Sequence, residues 1–112
     1  MPPRSRETYE ERARIMKALA HPSRLMMVDE LSEGERCVCE LTDMVGADIS
    51  TVSKHLSVLK DAGIVACRRE GVKMFYRLET PCILEIFACV ERVRGDQESG
   101  ATAANCRVGP EA

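Results

Sequence analysis

Residues 37–63, CVCELTDMVGADISTVSKHLSVLKDAG, constrain this chain more tightly than any other stretch. Apolar residues fall at Val38, Leu41 and Val45. Gly46-Ala47-Asp48 then breaks the pattern, and Val52, Leu56 and Leu59 resume it until Gly63. Spacings of three, four and seven place each set on one face of a helix. The stretch predicts two short amphipathic helices joined by a tight bend, a helix-turn-helix. Away from its buried stripe the second helix carries Thr51, Ser53, Lys54, His55 and Ser57, with Ser50 at its start. Short polar donors and a lysine on an exposed helix suit a major groove, where hydroxyls and amines meet base edges and phosphates.

Composition sets the bounds for that reading. With 112 residues the chain has length for one domain and a modest core. Its formal charge of −2 does not mark a nucleic-acid binder, but the distribution does. Between Ser50 and Leu78, Lys54, Lys60, Arg68, Arg69, Lys73 and Arg77 stand against Asp61 and Glu70 only, a local excess of four positive charges. An acidic protein with one basic face fits phosphate contact on that side. No signal peptide is expected, and no apolar run approaches the ~18 residues of a membrane span. A cytoplasmic protein with no membrane partner is expected. Six cysteines in that compartment argue against a disulfide framework and for metal or redox chemistry.

Taken in order, residues 1–6 read as a disordered basic arm. From Glu7 to Ala20, Tyr9, Ala13, Met16 and Leu19 form one helical stripe. His21-Pro22 ends that helix and opens the next, whose Leu25, Val28 and Leu31 face the core. His21 has no ligand-spaced partner and is read as a structural or capping residue. After the helix-turn-helix, Ile64, Val65 and Ala66 begin a strand and Arg69-Glu70-Gly71 is the turn. Val72, Met74, Tyr76 and Leu78 then alternate with Lys73, Phe75 and Arg77 in the return strand. This hairpin with a basic tip is read as the wing of a winged helix. Thr80 as N-cap and Pro81 in the first turn open a last helix. Ile83, Ile86, Phe87 and Val90 on one stripe, and Cys82, Cys89 and Val93 on another, leave it apolar over most of its surface. It needs two partners, one of them a second copy of the chain, and a dimer matches DNA built from two half-sites. From Gly95 the sequence is small, polar and without period. The expected organisation is an arm at 1–6, a mainly α, homodimeric winged helix-turn-helix with a small β-hairpin at 7–94, and a flexible tail at 95–112.

The segments ALAHPSRLMMVDELSEGE, CVCEL, DISTVSKHLSVLKDAGIV and GVKMFYRL resemble the ArsR/SmtB family of metal- and metalloid-responsive repressors over roughly residues 7–93. CVCEL resembles the arsenic-responsive branch in particular. The resemblance implies a homodimeric repressor that leaves double-stranded operator DNA when a thiophilic ion binds, with As(III) or Sb(III) as inducer and no permanent cofactor. Ser50, Thr51, Ser53, Lys54 and His55 match the reader-helix positions, and Lys60, Arg68, Arg69 and Lys73 add the expected phosphate contacts. Two departures stand out. The arsenic-type motif carries a third cysteine where this chain has Thr42. The last helix has no histidine, which argues against the zinc-type site found there in the family.

Thiolates select soft centres, and trivalent arsenic is satisfied by three sulfurs, or by two plus water or a small thiol. Cys37 and Cys39 are the expected ligands. In a regular helix they would lie about 200° apart, so chelation would require the first turn to unwind. Cys106, in the tail, is the candidate third ligand. Cys82 and Cys89, about 10.5 Å apart along one helix, form an alternative site only with other thiols. Cys67 is read as structural. Competing readings are a cadmium, lead or zinc sensor using a four-ligand site, and a thiol redox or persulfide sensor. A dithiol enzyme is disfavoured, since the chain has neither C-x-x-C nor a cofactor loop. A purely protein-binding winged helix is the remaining option.

Overall fold

The structure, a computed structural model, describes residues 5–99, with side chains through residue 95. Its elements are α1 (Arg6–Leu19), α2 (Pro22–Leu31), β1 (Arg36–Cys37), α3 (Val38–Val45), α4 (Ile49–Asp61), β2 (Val65–Glu70), β3 (Lys73–Leu78) and α5 (Ile83–Ser99). The chain divides after Pro81 into two compact units.

In the first unit, α2, α3 and α4 enclose a core completed by the start of the hairpin. Met27, Val28, Leu31, Leu41, Val52, Leu56, Leu59, Ile64 and Val65 are each at most 3% exposed. Fully burying one aliphatic side chain stabilises by about 1.5–3 kcal/mol, so this cluster is what holds the helix-turn-helix in shape. The apolar stripe of residues 37–63 is buried at Leu41, Val52, Leu56 and Leu59 and half-buried at Val38 and Val45. The two preceding helices differ from expectation. In α1 the buried residues are Ala18 and Leu19, while Tyr9 and Met16 are about half exposed. In α2, Met27 takes the core place expected for Leu25, which is exposed. Residues 27, 28 and 31 share one helical face, and position 25 is turned away from it.

The helix starts follow capping chemistry. Ser5 Oγ accepts from the Thr8 N–H at 3.3 Å and opens α1. His21 Nδ1 accepts from the Ser23 N–H at 3.1 Å, with Pro22 behind it, and opens α2. His21 is thus the capping residue its position suggests.

The sheet is antiparallel with order β1-β3-β2. Strand β1 has no counterpart in the sequence pattern: it has two residues, Arg36 opposite Tyr76 and Cys37 opposite Phe75. The hairpin is longer than expected, since pairing runs to Glu70 opposite Lys73. That makes Gly71-Val72 the turn and leaves Val72 95% exposed at the tip, outside the return strand. Gly71, with φ of 64°, supplies the positive φ that a two-residue hairpin turn requires at its first central position.

Thr80 does not cap the last helix. Its Oγ1 donates to the Ile64 carbonyl, 3.5 Å away, and α5 begins at Ile83, beyond Pro81. The second unit is described by α5 itself, which exposes Ile86, Val90 and Val93 along one stripe. It continues to Ser99, past the boundary expected at residue 95. Of the expected arm at 1–6, Ser5 and Arg6 start α1 and residues 1–4 lie outside the described residues. The rest of the expected tail, 100–112 with Cys106, also lies outside them. Among the described residues no helix is long and apolar enough to cross a membrane.

Candidate DNA interface and thiol site

The turn before α4 is set by Gly46, whose φ of 78° closes α3 with its N–H on the Thr42 carbonyl at 3.0 Å. Asp48 then caps α4. Its Oδ1 accepts from the Thr51 N–H at 2.9 Å and from Ser50 Oγ at 3.1 Å. Thr51 and Ser50 together hold the Asp48 carboxyl below the usual carboxylate range. Ser50 is therefore engaged in the cap. Beyond it, Thr51, Ser53 and Lys54 are exposed on the face opposite Val52, Leu56 and Leu59. Lys54 has no hydrogen bond or ion pair among the described residues, and its charge only helps to lower the Asp48 pKa.

His55 is placed differently from Thr51, Ser53 and Lys54. The reader-helix pattern puts it in the DNA-facing set, but its ring points back into the first unit. Its Nδ1 lies 3.0 Å from Arg24 Nη1, and its ring centroid is 4.3 Å from that of His21. Arg24 can only donate, so Nδ1 accepts and the imidazole is neutral. Arg24 Nε also donates to the Ala18 carbonyl at 2.7 Å, tying the end of α1 to the same cluster. Burial, then His21 and Arg24, lower the pKa of His55 from its ordinary value. The half-buried ring is thus held against Arg24 and His21 in the first unit.

On the wing, two of the basic residues are ion-paired. Arg68 is expected from sequence to meet phosphate, yet its Nε and Nη2 donate to the two Glu35 oxygens at 2.8 and 2.9 Å, and Nη1 donates to Glu70 at 2.8 Å. Its guanidinium also lies 4.9 Å from the Phe75 ring centroid. The bidentate pair holds the Glu35 carboxyl down and the Arg68 pKa up. Arg77 is likewise paired, with Glu79 at 2.9 Å. Arg69 and Lys73 on the wing and Lys60 on α4 are exposed and have no such partner among the described residues. Of the basic residues between Ser50 and Leu78, Lys54, Lys60, Arg69 and Lys73 are thus exposed without an ion pair among the described residues.

The cysteine pair lies where β1 meets α3. Cys37 is the N-cap of α3, with extended backbone (φ −83°, ψ 163°), and not a helical residue. Its N–H donates to Glu40 Oε1 at 2.8 Å, half of a capping box. Because Cys37 precedes the first turn, its Cα lies 5.4 Å from that of Cys39, and the two sulfurs are joined in a disulfide. The opposed placement expected for a regular helix does not occur, and bringing the sulfurs together requires no unwinding. Cys37 is 4% exposed, whereas Cys39 is open to solvent. Beside them runs a groove of about 320 Å³ lined by Cys37, Val38 and Cys39, by Ile49 and Ser53 of α4, and by Val72, Lys73 and Met74 of the hairpin. The cysteine pair shares one depression with Ser53 of α4 and Lys73 of the hairpin.

Thr42, in the position of the family's third cysteine, donates its hydroxyl to the Val38 carbonyl at 2.8 Å. Cys67 is half-buried in β2 opposite Tyr76. Cys82 and Cys89 are exposed in the second unit. Among the described residues no group of three or more His, Cys, Asp or Glu is arranged to hold a metal ion.

The family described as bacterial regulatory protein, arsR family, matches residues 21–66, the span from the α2 cap to the first residues of the wing. An uncharacterized HTH-type transcriptional regulator of Methanocaldococcus jannaschii is 41% identical over 88 residues, covering 78% of this chain and 99% of that protein. The biofilm growth-associated repressor of Xylella fastidiosa is 44% identical over 82 residues, 70% of this chain and 72% of the repressor. Among solved structures, the homodimeric winged helix-turn-helix DNA-binding domain of a possible ArsR-family regulator from Mycobacterium bovis superposes with a TM-score of 0.73 at 33% identity. It covers 89% of this chain and 95% of that domain.

Proposed function

The chain belongs to the arsR family of bacterial regulatory proteins, whose members are DNA-binding regulators and not enzymes, and on that premise we propose a homodimeric repressor controlled by its Cys37–Cys39 pair. It binds double-stranded operator DNA through α4 and the wing, and releases it when the reduced pair takes up As(III) or Sb(III). The observation that carries this reading is the adjacency of the two sulfurs at the α3 N-cap, on the groove that also holds Ser53 and Lys73. Reduced, the pair is a ready bidentate set of soft donors, two of the three that trivalent arsenic takes. Cys106 is the proposed third. Cys37 is also paired with Phe75 in the wing strand, so a change at the sulfurs is felt at both DNA-facing elements. A full switch from 99:1 to 1:99 requires the ion to prefer the released state by about 5.5 kcal/mol. The exposed stripe of Ile86, Val90 and Val93 on α5 supports the dimer, as does the homodimeric relative.

A second reading has its own support. The bonded sulfurs favour a redox repressor in which the closed and open forms of this disulfide differ in operator affinity. A cadmium, lead or zinc sensor needs four ligands more often than three, and Cys82 or Cys89 would have to supply them. The test is operator binding by fluorescence anisotropy, with reduced protein titrated against arsenite, antimonite, cadmium, zinc and peroxide. Release by arsenite and antimonite alone supports the metalloid reading. Release by peroxide alone, reversed by reductant, replaces it with the redox one.

A further inference from the structure

We propose that Cys39 is a modification site, the sulfur through which a small carboxylate-bearing thiol exchanges with the disulfide, its organic part then filling the groove between α3, α4 and the wing turn. The inference rests on the dithiol being the input of this repressor, and adds how a thiol reaches it and what the adduct does.

Three observations converge. First, the two sulfurs are unequal: Cys37 is 4% exposed and packed at the strand–helix junction, while Cys39 faces solvent. Thiol–disulfide exchange proceeds by attack on one sulfur with the other leaving, so access decides which sulfur is attacked. Second, the groove of about 320 Å³ begins at these sulfurs and falls in the size range of small-molecule sites, which starts at about 300 Å³. Val38, Ile49, Val72 and Met74 give it apolar walls, and Lys73 adds one ammonium without an acidic partner among the described residues. Apolar walls with a single cation suit a short organic stem ending in a carboxylate. Third, Ser53 and Lys73 line the same groove, so a group held there covers both and brings negative charge to the side that meets phosphate.

The step balances without an added oxidant. The thiolate of the incoming molecule attacks Cys39 Sγ, a bond forms between the two, and the Cys37–Cys39 bond breaks. Its electron pair leaves on Cys37 Sγ as thiolate. One disulfide is exchanged for another. From the reduced protein the same adduct forms when the Cys39 thiolate attacks a small-molecule disulfide and expels one thiolate.

The test uses the full chain as Cys37→Ser, which prevents the adduct from collapsing to the internal disulfide. Serine is a preferred N-cap, so the start of α3 is retained. Reduced Cys37→Ser and Cys39→Ser proteins are treated with oxidised glutathione and followed by intact mass and peptide mapping. One glutathionyl group on Cys39 is expected, forming about tenfold faster than an adduct on Cys37 in Cys39→Ser, because Cys37 is 4% exposed and access governs the rate. Lys73→Gln, added to Cys37→Ser, should slow the reaction with oxidised glutathione about threefold and leave that with neutral hydroxyethyl disulfide unchanged, the signature of a charge contact. The adduct should lower operator affinity about tenfold or more, recovered with reductant. Modification of Cys82 or Cys89 ahead of Cys39 would overturn the proposal. So would absence of any charge preference, or an adduct that binds operator as well as free protein. The mass readout is independent of arsenite response, so failure of the inducer assignment and failure of this site are told apart.

Discussion

In α4 the fully buried residues and the exposed polar ones lie on opposite faces. Val52, Leu56 and Leu59 have no exposed surface, and Thr51, Ser53 and Lys54 face outward. The β2–β3 hairpin is rich in arginine and lysine but turns much of that charge toward its own carboxylates, with Arg68 held by Glu35 and Glu70 and Arg77 by Glu79. Its tip, Val72, is almost wholly exposed. The helix leaves Lys54 and Lys60 without an ion pair among the described residues, and the wing leaves only Arg69 and Lys73 so. Charge counted along a sequence is therefore not the charge available to phosphate.

The largest effect that could break this contrast is on stability. Leu56→Ala should cost about 2–5 kcal/mol in urea unfolding, whereas Val72→Ala should stay within about 0.5 kcal/mol. Similar destabilisation at both positions would mean that the wing tip is anchored as firmly as the reader helix.

Next in size is the salt dependence of operator binding. Lys54→Ala and Arg69→Ala should each weaken binding and reduce the slope of log affinity against log salt by about one for each phosphate no longer neutralised. Arg68→Ala should leave the slope unchanged and slightly lower Tm, since exposed ion pairs contribute little. A flattened slope for Arg68→Ala would return that residue to the interface.

The smallest effect sharpens how α4 is held. His55, facing Arg24 and His21, has a pKa lowered from its ordinary 6.5, chiefly by burial. On acidification the unfolded chain takes the proton first. The contribution is therefore fully present above about pH 6.5, declines as pH falls toward the lowered folded value, and levels off below it. Urea midpoints from about pH 7.5 to 5.5 should fall less in His55→Gln than in the unaltered protein. An equal fall would remove His55 as the cause.

The helix-turn-helix is legible in the sequence because its signal is local: repeats of three and four with a Gly46 break specify both helices and their buried faces. The wing is legible as a hairpin but not in register, since the turn depends on which residue takes the positive φ. What stays hidden depends on distant partners. Nothing near Arg68 in sequence announces Glu35, 33 positions earlier, and Arg24 is 31 positions from His55. Strand β1 is too short to carry a pattern. The placement of Cys37 is the most consequential difference, because a helix running through residues 37–39 would put the sulfurs on opposite sides. The available clue is Glu40, three residues after Cys37, the spacing by which a capping box marks the residue before a helix.

The central claim is that the Cys37–Cys39 pair is the input to operator binding. The most direct measurement is operator anisotropy of the unaltered, Cys37→Ser and Cys39→Ser proteins, all reduced, titrated with arsenite and then with peroxide. The account predicts that all three bind operator and that only the unaltered protein lets go. Release of either serine variant at the concentration that releases the unaltered protein would contradict it.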